Sequence, residues 1–126
     1  LGLMQVMPRT GRQTAKELNL RWRGNNTLIN PSTNIRIGSY YLAKQLERFG
    51  HPALATAAYN AGPHRVKQWV PDESMPLDAW VASIPFTETR NYVQRVLSSQ
   101  VIYEWRYNDA ITRLESVAAS QITKKE

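Results

Sequence analysis

Apolar positions along this chain recur at helical spacing, and proline, glycine or asparagine separates one periodic stretch from the next. Leu1 to Met7 is apolar around a single polar Gln5, too short for an amphipathic helix, and reads as a buried loop or short strand. Pro8 can begin a helix that runs to Leu18, with Ala15 and Leu18 on one face. From Asn19 to Asn30 the pattern breaks around Gly24-Asn25-Asn26, which predicts a turn cluster carrying Trp22 over the surface. Asn30-Pro31 then opens a long helix, Asn30 as N-cap and Pro31 at the first helical position, with Ile35, Leu42, Leu46 and Phe49 as its apolar stripe and Gly50 as its stop. Gly38 inside that helix costs up to about 1 kcal/mol relative to alanine, which points to a close helix crossing.

The second half continues in the same way. Helices are expected from Pro52 to Asn60, from Pro63 to Trp69 and from Pro76 to Ser83, the last with Leu77, Trp80 and Val81 inward. A polar loop runs from Asp72 to Met75. After the break at Ile84-Pro85-Phe86, Thr87 is a suitable N-cap for a helix reaching about Tyr107, whose core stripe is Val93, Val96, Leu97 and Val101. Beyond Asn108-Asp109, the spacing of Ile111, Leu114, Val117, Ala118 and Ile122 predicts a last amphipathic helix over 109–126 that ends in a basic tail, Lys124-Lys125. Strand signals are minimal, so the pattern predicts an all-α domain of about seven short helices.

The 126 residues suffice for one domain with its own core and leave no room for two. No run is long and apolar enough to span a bilayer, so no transmembrane segment is expected. With no cysteine, and two histidines that lack helical HxxxH spacing, disulfides, thiolate chemistry and a metal site are not expected, and no cofactor motif is visible. The net charge of +6 favours an anionic partner such as nucleic acid, a membrane surface or an acidic polymer. The basic residues look scattered rather than blocked, so a merely solvated surface explains them equally well. No groove-reading motif supports nucleic acid.

The candidate chemistry centres on Ala57-Ala58-Tyr59-Asn60-Ala61-Gly62-Pro63. Small residues leave one face open around one tyrosine hydroxyl and one amide. Gly62 suits a left-handed helix end, and Pro63 can start the next helix. By itself this is equally well a packed helix end with a core tyrosine. The order GLMQVMP, NPSTNIRIGSYYL, AAYNAGPHRV and SIPFTETRNYV, from Gly2 to about Tyr107, resembles the catalytic domain of soluble lytic transglycosylases.

That resemblance implies a mainly helical, lysozyme-like fold around a saccharide cleft, with at most a small strand element near Gln5. It implies non-hydrolytic cleavage of the MurNAc-GlcNAc β-1,4 bond of peptidoglycan to a 1,6-anhydroMurNAc end, in the periplasm or cell envelope of a bacterium. A single glutamate first protonates the leaving oxygen and then takes a proton from the sugar's C6 hydroxyl, while the N-acetyl group stabilises the cation. No second carboxylate is needed, unlike the usual two-carboxylate scheme. The glutamate is expected on a helix upstream of Leu1, so these residues alone are expected to be inactive.

On the matching positions, Gln5 and Met7 line the cleft, Tyr59 orients the acid or contacts the N-acetyl group, and Asn60 and Glu88 contact substrate. The competing reading makes Gln5 a loop residue, Met7 a core residue and Glu88 a helix-end charge paired with Arg90 or Arg12. Of the tryptophans Trp22, Trp69, Trp80 and Trp105, Trp69 is the first candidate for stacking on a sugar face. His51 reads as a solvated surface residue, and His64 as inessential. A non-catalytic peptidoglycan-binding module is the alternative function.

Overall fold

Four helices in the computed structural model begin at prolines and two are followed by glycines, because proline's fixed φ suits a first turn while glycine tolerates the positive φ that closes a last one. The structure describes residues 4–108 and 121–124, with side chains through residue 99 and again over 121–124. Along the chain run α1 (Pro8–Glu17), α2 (Asn26–Ile29), α3 (Pro31–Phe49), α4 (Pro52–Ala61), α5 (Pro63–Trp69), β1 (Met75–Pro76), α6 (Leu77–Ser83), α7 (Thr87–Asn108) and β2 (Gln121–Ile122). The Asn30 side chain accepts from the Thr33 N–H at 3.1 Å, the expected cap of α3. Gly50 and Gly62 take φ of 76° and 97°, and their N–H groups close onto Leu46 and Ala58 carbonyls at 2.8 Å each.

The chain falls into two compact units, Leu1–Lys44 and Gln45–Glu126. In the first, Val6, Ala15, Leu28 and Ile37 form the core, with Met4, Leu18, Leu20 and Trp22 packed against it. Asn34 is fully buried within it. Its Nδ2 donates to the Leu28 carbonyl at 3.0 Å and its Oδ1 accepts from the Met4 N–H at 2.8 Å. One amide thus ties the end of α2 and the N-terminal loop to α3.

In the second unit the core runs through Leu54, Ala57, Val66, Trp80, Ile84, Val93 and Ile122. Trp80 is 1% exposed, and its indole N–H donates to the Trp69 carbonyl at 2.9 Å, so its burial leaves no orphaned donor. Residues 53–58 of α4 are all buried, which alanine-rich sequence allows because small side chains let neighbouring backbone close in from every side. A two-residue antiparallel pair, Met75 with Ile122 and Pro76 with Gln121, is the sheet found among the described residues.

Several expectations are corrected. The stripe of α3 is rotated: Ile35 and Leu46 are 46% and 44% exposed, while Asn34, Ile37, Gln45 and Phe49 are buried. Two buried amides occupy the inner face, which a reading by hydrophobicity assigns to solvent. Gly38 meets a loop rather than a helix, since a Cβ there would lie 2.6 Å from Met4 Sδ and 2.8 Å from Met4 Cβ. Residues 26–29, expected as turn, form α2 around buried Leu28, and Trp22 is half-buried. Thr87 is the first residue of α7 rather than its cap. The strand element lies at 75–76 and 121–122, whereas Gln5 sits in a turn. Ile122 therefore belongs to a strand and not to a final helix. Residues 109–120 of that expected helix, most of the basic tail and the Trp105 side chain lie outside the described residues.

His51 is not a free surface residue either. It is half-buried at the N-cap of α4, where Nδ1 accepts from the Ala53 N–H at 3.0 Å. Burial holds its pKa below the usual imidazole range. A depressed folded-state pKa contributes stability that is present above the unfolded value, about 6.5, and lost as pH falls through the lower folded value. Thermal melts from pH 7.5 down to 4.5 will therefore show a fall that His51→Asn removes, because asparagine caps without titrating. An identical pH profile in the variant would rule the cap out as its source.

Candidate functional site

The last turn of α4 and the first turn of α7 carry the tyrosine, amide and carboxylate singled out above. Tyr59 and Asn60 are half-buried at the end of α4, just before the Gly62 turn. Thr89, 2% exposed, donates from Oγ1 to Asn60 Oδ1 at 2.8 Å. Glu88, the neighbour of Thr89, is exposed in the first turn of α7, where helix N-terminal N–H groups favour negative charge. The Arg90 guanidinium is directed away to the Ile84 carbonyl at 3.1 Å, and among the described residues Glu88 makes no ion pair. The local Glu88–Arg90 pairing is thereby excluded.

A short aromatic row lies on the same unit. Phe86, exposed, meets the Trp69 ring edge-on at 5.2 Å between centroids, and the Arg65 guanidinium sits 4.6 Å from the other ring's centroid, over Phe86. Trp69 is half-buried and engaged through both its ring and its carbonyl, so it supports Phe86 and Trp80 rather than standing free.

The first unit carries Gln5 and Met7, and the chain there alternates. Met4 is held by the Asn34 bond and by the notch over Gly38, and Val6 is buried, whereas Gln5 and Met7 are exposed. Gln5 adopts a positive φ of 51°, an uncommon conformation for a side-chain-bearing residue. Met7 is 68% exposed at the N-cap position of α1, so it does not fill the core. An exposed methionine presents a soft, adaptable apolar surface suited to ligand contact.

Each unit thus presents part of the expected set: Tyr59, Asn60 and Glu88 in one, Gln5 and Met7 in the other. Sequence reasoning missed the two residues that hold them, Asn34 and Thr89. Both lie inside the quoted motifs; for Thr89 the available signal was its place beside Glu88 and four residues before Val93 on the core stripe of α7, whereas Asn34 lies off the expected stripe of α3 and gave none.

The Thr89–Asn60 bond is testable. Thr89→Val removes the donor while keeping shape, and a loss of about 1–2 kcal/mol in urea unfolding is expected. Combined with Asn60→Ala, the two changes should be strongly non-additive. Simple additivity would show that the pair is not energetically coupled.

Comparison with known proteins adds the following. Residues 1–78 match the Transglycosylase SLT domain family, and residues 83–110 match the Soluble lytic transglycosylase helical domain. A soluble lytic murein transglycosylase of Salmonella typhimurium is 45% identical over 81% of this chain and 16% of its own length. Among solved structures, an inactive Glu→Gln mutant of the lytic transglycosylase Slt of Pseudomonas aeruginosa is similar at TM-score 0.78 and 44% identity, over 90% of this chain and 19% of that one. A complex of the 70-kDa soluble lytic transglycosylase with bulgecin A superposes at TM-score 0.82 and 35% identity, over 96% of this chain and 20% of that one. The all-helical, lysozyme-like architecture expected from the motifs is that of these neighbours. The chain spans about a sixth of the length of the Salmonella relative (16%).

Proposed function

Because this chain belongs to the transglycosylase SLT domain family, we propose that it works within a peptidoglycan lytic transglycosylase of the bacterial cell envelope, as a single catalytic module. The reaction is non-hydrolytic cleavage of the MurNAc-GlcNAc bond, with the C6 hydroxyl closing onto C1 to leave a 1,6-anhydro end. The observation that carries this reading is the tie between Asn60 and Thr89, which sets the Tyr59-Asn60 turn against the turn bearing Glu88.

In this reading the Tyr59 hydroxyl orients the acid or the N-acetyl group. Gln5 offers an amide to a sugar substituent, and Met7 offers apolar surface to a sugar face. Asn60 and Glu88 hold substrate; Glu88 is not the proton donor. The motif resemblance implies that the donor is a glutamate upstream of Leu1, and an inactive Glu→Gln mutant is among the similar structures. No helix among the described residues is long and apolar enough to cross a membrane.

The test is release of anhydro-muropeptides from purified murein, followed by chromatography and mass spectrometry. The 126 residues alone should release none, and the chain extended upstream should release them. In that extended protein Tyr59→Phe should lower turnover about 10- to 100-fold with little change in affinity, the loss of one hydrogen bond to a charged partner. Glu88→Gln should weaken binding and leave reduced but clear activity. Product from the 126 residues alone would place the donor within them. Binding of glycan without product from the extended protein would instead make this a peptidoglycan-binding module.

A further inference from the structure

We propose that the first unit contains a separate binding site for short peptides bearing two or more free carboxylates, formed by the basic face of α1 and the cavity beside it. The cavity has a volume of about 750 Å³, and Arg9, Arg12, Lys16 and Lys44 line it together with Trp22 and Tyr41. Three of the cations, Arg9, Arg12 and Lys16, fall at i, i+3 and i+7 and so share one face of the helix. The basic residues that look scattered in sequence are thus gathered in space.

Charge balance decides what this face can take. One carboxylate also lines the cavity, that of Glu17. Lys44 already neutralises it, with Nζ donating to both oxygens at 3.1 and 2.9 Å, and each partner favours the charged form of the other. Arg9, Arg12 and Lys16 remain exposed, and among the described residues none of them is in an ion pair. Three uncompensated cations facing one cavity attract anions.

Spacing favours several carboxylates over one compact anion. Seven residues of helix advance about 10 Å, so the cations form a row of that length. A single phosphate or sulfate reaches one or two of them, whereas three residues of extended peptide also span about 10 Å and set carboxylates along the whole row. Arginine forks match carboxylates bidentately. The half-buried rings of Trp22 and Tyr41 offer flat apolar walls to the aliphatic parts of such a peptide.

If the proposed function holds, the source is the peptide stems of murein, and the assignment of that source rests on that reading. The probes are the free tetrapeptide L-Ala-γ-D-Glu-meso-diaminopimelate-D-Ala, the same peptide with its carboxylates amidated, chitotetraose and inorganic polyphosphate. Binding to the purified protein is measured by calorimetry at low and physiological salt.

The free tetrapeptide should bind and weaken with salt. The amidated peptide should not bind. Arg9→Ala/Arg12→Ala/Lys16→Ala should weaken the tetrapeptide about tenfold, as expected for three exposed ion pairs. The variant should melt as the parent does, since all three side chains are exposed. The control Arg21→Ala/Arg23→Ala, exposed and outside the cavity, should leave binding unchanged.

Equal binding of the amidated peptide, unchanged affinity in the triple variant, or polyphosphate binding as tightly as the peptide would each overturn the proposal. Chitotetraose binding without peptide binding would sink this site and leave the transglycosylase reading standing. Peptide binding that depends on the three cations, with neither glycan binding nor anhydro product from the chain extended upstream, would do the reverse.

Discussion

Trp80→Ala will destabilise the second unit by about 3–5 kcal/mol, the range for removing a fully buried tryptophan. Trp80 is the largest fully buried side chain of the described residues, and it belongs to a cluster that draws on α4, α5, α6, α7 and β2. Removing it opens a cavity that no single neighbour can fill. It also strips the Trp69 carbonyl of its N–H donor. Because Trp69 stacks edge-on against Phe86, the loss should spread to that aromatic row. The measurement is urea unfolding followed by far-UV circular dichroism, with Trp80→Phe as the milder partner. Phenylalanine restores most of the volume but not the donor, so it should recover part of the loss and not all of it. A loss under about 1 kcal/mol for Trp80→Ala would contradict the packing described, since even modest core truncations exceed that.

Asn34→Leu should cost the first unit about 2–6 kcal/mol despite its near-equal size, because it removes the side-chain acceptor of the Met4 N–H and the side-chain donor to the Leu28 carbonyl, at about 1–3 kcal/mol each. In the proposed reading the effect reaches substrate contact through Gln5. With its neighbour Met4 no longer tethered, the alternation that buries Val6 and exposes Gln5 and Met7 loses its anchor. Amide hydrogen exchange at Met4 and Val6 should speed up more than exchange in the middle of α3. Uniform exchange changes across the unit would show that Asn34 supports the fold at large and has no particular hold on the loop. Gly38→Ala approaches the same loop from the other side, by crowding Met4, and it serves as an independent perturbation.

The helix boundaries were legible because they depend on covalent geometry that acts within a few residues. Pro8, Pro31, Pro52 and Pro63 each start a helix, and Gly50 and Gly62 each follow one. The inward set of α6, Leu77, Trp80 and Val81, was legible for a similar reason, since a short helix with three large apolar residues has one face to bury. The family and its candidate residues were legible from the order of four motifs, which needs no coordinates.

What tertiary structure decided is the use of polar groups. On α3 the apolar stripe through Ile35 and Leu46 competed with one through Asn34 and Ile37, and the second is buried because Asn34 finds both hydrogen-bond partners there. Those partners lie 30 and 6 residues away. Ile122 reads as helical by local spacing but pairs with Met75, a contact between distant parts of the chain. His51 reads as a surface residue until α4 folds and supplies an N–H for it to accept. Thr89 and Asn60 meet for the same reason, 29 positions apart. Local sequence sets where the backbone can turn, but a buried polar group is stable only with its partner in place, and packing alone brings those partners together.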